Sequence, residues 1–176
     1  NLAGRGIDGL IVVGGNGSLT GAMHLTDPDE LGPQRLRVIG VPASIDNDLG
    51  LTGLSIGVDT AMNTIVDACD KIADTATAHD RTFIVEVMGR DCGYLAMTAA
   101  IAVGADLALF PEAGRSEDAI IDGIVDAVIA ARGRSRKNRR VIVIKAEGVA
   151  VPVERLKLEV DARLRARLPA SDPASI

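Results

Sequence analysis

Residues 82–111, TFIVEVMGRDCGYLAMTAAIAVGADLALFP, carry the alternation that decides the fold class. Thr82–Val87 reads as a strand, rich in the β-branched and aromatic side chains that fit a pleated surface. Glycines at 89 and 93 break it, and Cys92–Val103 follows as a helix of small residues, rich in Ala. Asp106–Phe110 is the next strand, stopped by Pro111, which has no N–H to give to a ladder. Strand, helix and strand in that order predict parallel strands joined by a crossover.

The alternation continues outward in both directions. Upstream, Leu10–Val13 is a compact apolar run entering glycines, Arg37–Val41 is a second run ending at Pro42, and Thr60–Ala73 carries Met62, Ile65, Val66, Cys69, Ile72 and Ala73 at helical spacing. Downstream, Ser116 caps an acidic first turn, Glu117 and Asp118, ahead of Ile120, Ile121, Ile124, Val125, Val128 and Ile129, and Gly133 closes that helix. Val141–Lys145 is a further strand, and Glu154–Leu168 a last helix with Leu156, Val160, Leu164 and Leu168 on one face. The expected fold is α/β, a three-layer, mostly parallel sheet. In such sheets ligands sit beyond the carboxyl ends of the strands, so the loops after Val13, Val41, Val87 and Lys145 are where chemistry belongs.

A chain of 176 residues, 47% hydrophobic, can bury a substantial core as one domain or two small lobes. Aromatic residues make up only 2%, so that core is built from Val, Ile, Leu and Ala, as parallel strands covered by helices require. A net charge of −5 argues against a general nucleic-acid binder, whose phosphate contacts need clustered cations. Cys69 and Cys92 form neither a metal spacing nor a disulfide framework, which fits a reduced, cytoplasmic setting. No apolar run approaches the ~18 residues of a membrane span, and the opening residues do not read as a signal peptide. Asn1–Asp8 reads as the end of a helix and a loop, Pro169–Ile176 as an unfinished polar tail, and both ends as cut.

Each loop admits two readings. Gly14-Gly15-Asn16-Gly17-Ser18 is either a tight structural turn or a phosphate site, where glycines let backbone amides approach anionic oxygens. It matches neither the P-loop nor GxGxxG. Pro42-Ala43-Ser44-Ile45-Asp46-Asn47-Asp48 is either an Asx-rich turn or a pair of carboxylates dividing labour, one accepting a proton while the other binds a metal or orients a donor. Arg90, between glycines in Met88-Gly89-Arg90-Asp91-Cys92-Gly93, either forms a surface ion pair or meets phosphoryl charge. Glu147, in Lys145-Ala146-Glu147-Gly148, is an exposed turn acid or a receiver of sugar hydroxyls. His79 reads as structural. The basic run Arg132, Arg134, Arg136, Lys137, Arg139 and Arg140 reads as a solvated loop.

Together GGNGS, SIDND, the DTATAH segment running into Arg81, and EVMGRDCG resemble the 6-phosphofructokinase family in order and approximate spacing, over roughly Leu10 to Glu147. SIDND together with MGR is the specific part. The resemblance implies a phosphofructokinase-like pair of Rossmann-like lobes, 1–57 in the nucleotide-binding lobe and 58–176 in a sugar-phosphate lobe incomplete at its C-terminus. It implies transfer of the ATP γ-phosphate to the 1-hydroxyl of fructose 6-phosphate, with Mg²⁺, in a glycolytic, allosteric homotetramer. Asp46 falls on the base, Asp48 beside metal and phosphate, and Ser44 and Ile45 line the sugar site. Gly15, Asn16, Gly17 and Ser18 fall under the nucleotide phosphates. Met88, Gly89 and Arg90 contact the sugar phosphate and the transferring group, Glu147 its hydroxyls, and Arg81 the sugar phosphate of a neighbouring subunit.

The departures from the family are specific. Asn16 stands where the family carries an acid that serves the metal, and Ala73 where it carries an effector-site Arg. The family's early glycine loop and late His/Arg segment are expected outside this chain, which alone is expected to be inactive. The pyrophosphate-using branch typically has Asp at the Gly17 position and Lys at Ala43; small residues at both favour ATP. A non-catalytic regulatory half usually has an eroded Asp/Asp loop, whereas Asp46 and Asp48 are intact. A dehydrogenase reading lacks the dinucleotide fingerprint.

Overall fold

The computed structural model describes residues 3–27, 36–134 and 139–168. The elements are β1 (Gly9–Gly14), α1 (Asn16–His24), β2 (Arg37–Pro42), α2 (Val58–His79), β3 (Thr82–Val87), α3 (Tyr94–Val103), β4 (Leu107–Leu109), α4 (Glu117–Arg132), β5 (Val141–Ala146) and α5 (Val153–Arg167), with short 3₁₀ turns at Ala3–Arg5 and Pro111–Ala113. They form two compact units, Asn1–Asp59 and Thr60–Ile176.

In the first unit β1 and β2 run parallel, with Ile11 opposite Ile39 and Val12 opposite Gly40. Helix α1 covers the Val12 face, where a Cβ on Gly40 would come within 2.9 Å of the Leu19 side chain. The other face is open, with Ile11, Val13 and Ile39 at 67%, 61% and 63% exposure.

In the second unit the sheet order is β3-β5-β4, and both pairings are parallel. Every residue of β5 is buried, as a central strand covered on both faces demands. On one face Val87, Ile142, Ile144 and Ala146 pack against Cys69 and Ala73 of α2 and Ala96, Ala99 and Ala100 of α3. On the other, Leu109, Val141 and Val143 pack against α4 (Ile120, Ile121, Ile124, Val125, Val128) and α5 (Leu156, Val160, Leu164). These are the three expected layers. Carboxylates and guanidinium groups tie the outer faces of α4 and α5: Arg163 to Asp118 and Asp122, Arg167 to Asp122 and Asp126, Arg155 to Glu117.

The sequence differs from the structure mainly at element ends. Helix α2 continues past Ala73 to His79 because Ala76 is fully buried, although the apolar pattern has thinned. It ends at Asp80, left-handed at φ 51°, with the Arg81 N–H donating to the Ala76 carbonyl. Helix α3 starts at Tyr94 rather than Cys92, with Gly93 as its cap residue. Strand β4 keeps only Leu107–Leu109. Ser116 caps α4 as expected, its Oγ accepting from the Ala119 N–H at 3.3 Å. Ala73 is a core residue of α2. Arg134 departs from the solvated loop expected of the basic run: it pairs with Asp106 at 2.7 Å, and Asp106 also accepts from the Ile142 N–H. Arg136, Lys137 and the Pro169–Ile176 tail lie outside the described residues. Among the described residues, Cys69 and Cys92 form no disulfide, and no helix is long and apolar enough to cross a membrane.

Candidate active site

At the carboxyl ends of β1 and β2, the glycine loop and the Asp/Asp loop lie side by side. The Ala43 N–H donates to the Gly14 carbonyl, continuing the ladder into the second loop. A Cβ on Gly14 would sit 2.7 Å from Ser18 Cβ, so only glycine lets the chain turn directly into α1. Gly15 caps α1 without a side-chain bond, leaving amides at the helix start for an anion.

The Asp/Asp loop is braced from within. Ser44 N–H donates to Ser55 Oγ at 2.6 Å, and Asp46 N–H donates to Ser44 Oγ at 3.1 Å. Asn47 adopts the left-handed region, φ 57°, and its Oδ1 accepts from the Ser55 N–H at 3.0 Å. Ser55, 1% exposed, is thus the post on which the loop hangs, and sequence reading missed it. A Cβ on Gly57 would lie 2.9 Å from Ile45 Cγ2 and 3.0 Å from the Ser44 carbonyl, which closes the loop from the other side.

The two loops meet side chain to side chain: Asn16 Nδ2 donates to Asp48 Oδ2 at 2.5 Å. The other carboxylate oxygen, Asp48 Oδ1, is buried without a hydrogen-bond partner among the described residues. A buried carboxylate oxygen left this way is set up for a cation or a donor from a ligand. Among the described residues no cluster of three His, Cys, Asp or Glu forms a metal cage.

In the second unit three loops interlock at the carboxyl end of the sheet. After β3, Gly89 takes φ 127°, where a Cβ would be 2.5 Å from the Cys92 carbonyl oxygen. The Glu147 N–H donates to the Val87 carbonyl and the Gly148 N–H to the Gly89 carbonyl. Gly148 presses so closely that a Cβ would fall 1.9 Å from the Arg90 carbonyl oxygen. The β4 loop joins through Gly93, whose N–H donates to Glu112 Oε1 at 2.8 Å. Met88, Gly89, Arg90 and Glu147 therefore belong to one stitched surface. Among the described residues the Arg90 guanidinium has no ion pair, so the surface-salt-bridge reading does not hold. Arg81 stands apart, exposed at the amino end of β3.

The phosphofructokinase family model matches residues 1–170. The chain belongs to the phosphofructokinase family. It is 50% identical over 143 residues to the ATP-dependent 6-phosphofructokinase of Brevibacillus brevis, covering 81% of this chain and 41% of that protein. The corresponding protein of Bacillus pumilus is 48% identical over 154 residues, covering 88% and 44%. Phosphofructokinase from Saccharomyces cerevisiae superposes with a TM-score of 0.78 at 34% identity, over 93% of this chain and 24% of that one. The chain thus spans about two fifths of the length of the curated relatives it matches. Family membership accounts for the α/β fold with parallel sheets and for the order of the loop strings.

Proposed function

We propose that this chain is part of an ATP-dependent 6-phosphofructokinase, with 1–57 serving the nucleotide and 58–176 the sugar phosphate. The observation that carries the reading is the intact Asp46–Asp48 loop, folded against the glycine loop and presenting a buried, unpartnered Asp48 oxygen. Asp46 takes the proton of the sugar 1-hydroxyl, Ser44 and Ile45 line its side of the site, and Gly15–Ser18 receive the phosphates on backbone amides. Arg90, without an ion pair among the described residues, meets the transferring group, with Met88 and Gly89 on the sugar phosphate and Glu147 on sugar hydroxyls.

Asp48 Oδ1 and the Asn16 amide oxygen are oxygen donors that suit Mg²⁺, which keeps several waters and substrate phosphates among its ligands. Bound there, the ion neutralises phosphate charge.

Arg81 and Arg90 lie at opposite ends of β3. At about 3.3 Å per residue that is roughly 20–30 Å, too far for one side chain to serve both places. This supports a homo-oligomer, a homotetramer in our reading, in which Arg81 serves the site of a neighbouring subunit. A cytoplasmic setting is consistent with two cysteines, Cys69 and Cys92, that are not joined in a disulfide.

Beyond its chain neighbours and the backbone of its own helix, a Cβ on Gly17 would meet no described protein atom within 4 Å, so the space beside it is open for a nucleotide. This favours ATP over pyrophosphate. The test is phosphoryl transfer to fructose 6-phosphate by the full-length protein with each donor in turn. ATP should give the faster turnover; faster turnover on pyrophosphate would reverse the donor assignment, and none with either would sink the reading.

A further inference from the structure

Lys145 is 1% exposed, on a strand whose neighbours are almost all aliphatic. It lies on the β5 face that carries Val141 and Val143, with Leu109 as its register partner on β4. On the other side its register partner is Glu86 of β3, and the ammonium meets Glu86 Oε2 at 2.5 Å. Its second acceptor is the Ala146 carbonyl at 3.3 Å. An ammonium in such surroundings is costly unless paired, and an apolar side chain would fill the place at no loss of packing. Stability therefore does not explain the choice of residue.

Position does. Glu86 immediately precedes the Val87–Arg90 segment, and Lys145 immediately precedes Ala146-Glu147-Gly148. Above the ion pair the stitches follow in order: Glu147 N–H to Val87 at 2.9 Å, then Gly148 N–H to Gly89 at 3.1 Å. The approach of Gly148 to the Arg90 carbonyl leaves no room for a slip between the strands. We propose that Lys145 is a positioning residue, its buried ammonium pairing with the half-exposed Glu86 carboxylate and so fixing the loop that carries Met88–Arg90 against the loop that carries Glu147. This rests on the reading that those loops hold the sugar phosphate. Lys145 itself touches no reacting atom.

The test combines two variants and two readouts. In Lys145→Met, amide exchange at Glu147 and Gly148 should quicken by about tenfold, while Val141–Ile144 stays within about twofold of the parent, because only the end of the ladder is released. In the full-length protein the half-saturating fructose 6-phosphate concentration should rise about tenfold while that for ATP moves less than about twofold, a split that general loss of fold does not produce. The double variant Glu86→Leu/Lys145→Met removes both charges and keeps the midpoint of thermal unfolding near the parent's, yet should retain the fast exchange and the weakened sugar binding. Parental exchange at residues 147 and 148 in both variants would overturn the proposal, as would full recovery of sugar affinity in the double variant. If the parent does not phosphorylate fructose 6-phosphate, the functional reading fails while exchange still decides whether Lys145 sets the loops.

Discussion

Asp46 stands on a loop whose turns are fixed by named bonds: its own N–H to Ser44 Oγ, the Ser44 N–H to Ser55 Oγ, and the Ser55 N–H to Asn47 Oδ1. Replacing its carboxylate by an amide leaves those bonds in place, so Asp46→Asn isolates the chemistry. Turnover should fall ~10³-fold or more, with much less change in half-saturating sugar phosphate. Steady-state kinetics on the full-length protein decide it; a variant keeping more than about a tenth of parental turnover ends the assignment. The two arginines should separate in the same assay. Arg90→Ser lowers turnover, whereas Arg81→Ser mainly raises the half-saturating sugar concentration, and equal effects on both parameters would mean their roles are mis-sorted. A third residue, Cys69, makes a pH prediction. Burial, and secondarily the Asp70 charge, push its thiol above the ordinary value of 9.0. The folded protein then holds that proton more tightly than the unfolded chain does. The resulting stability is fully present below pH 9.0 and is lost as pH rises through the folded-state value. At pH 8 a thiol reagent should label Cys92 and spare Cys69 until denaturant is added; equal labelling in the native protein would contradict the burial.

Among the elements, α4 is the best punctuated, and its start rests on Ser116 Oγ accepting from the Ala119 N–H. Ser116→Ala should cost about 1 kcal/mol in a denaturant titration, and a loss below a few tenths would show the cap to be idle. The same helix shows which features a sequence makes legible. Ser116, the acidic first turn, the apolar stripe and Gly133 are all local signals, and all sit at their expected places. The apolar runs of β3 and β5 were equally plain, because strands covered on both faces need no alternation. What stayed hidden depends on partners far along the chain. The Lys145–Glu86 pair joins residues 59 apart, and nothing near either residue announces the register that brings them together. Ser55 reads as an ordinary loop serine until the Asp/Asp loop folds onto it. Gly148 follows a candidate sugar-binding acid without distinction, and only the Arg90 carbonyl beside it explains why no side chain fits. Asn16 was visible as a departure from the family, but its hydrogen bond to Asp48 was not.

At the scale of the whole molecule the two units are unequal. The second has a central strand buried from end to end and helices on both faces of its sheet. Among its described residues the first has two strands, one helix and an open apolar face. Hydrogen exchange on this chain should show strong protection in Thr82–Val87 and Val141–Ala146 and weak protection in Gly9–Gly14. Protection of β1 equal to that of β5 would show the open face to be covered in solution. That face also governs how the protein's unfolding can be watched. With no Trp and a single Tyr the chain has almost no intrinsic fluorescence to follow. The usual substitute, an environment-sensitive dye, finds Ile11, Val13 and Ile39 already exposed before any heating. Such a dye should glow with the native protein and brighten little on melting, so that a flat trace would record a bright starting state rather than an absence of unfolding. Circular dichroism of the helices, which carry most of the second unit's core, gives the transition its proper amplitude.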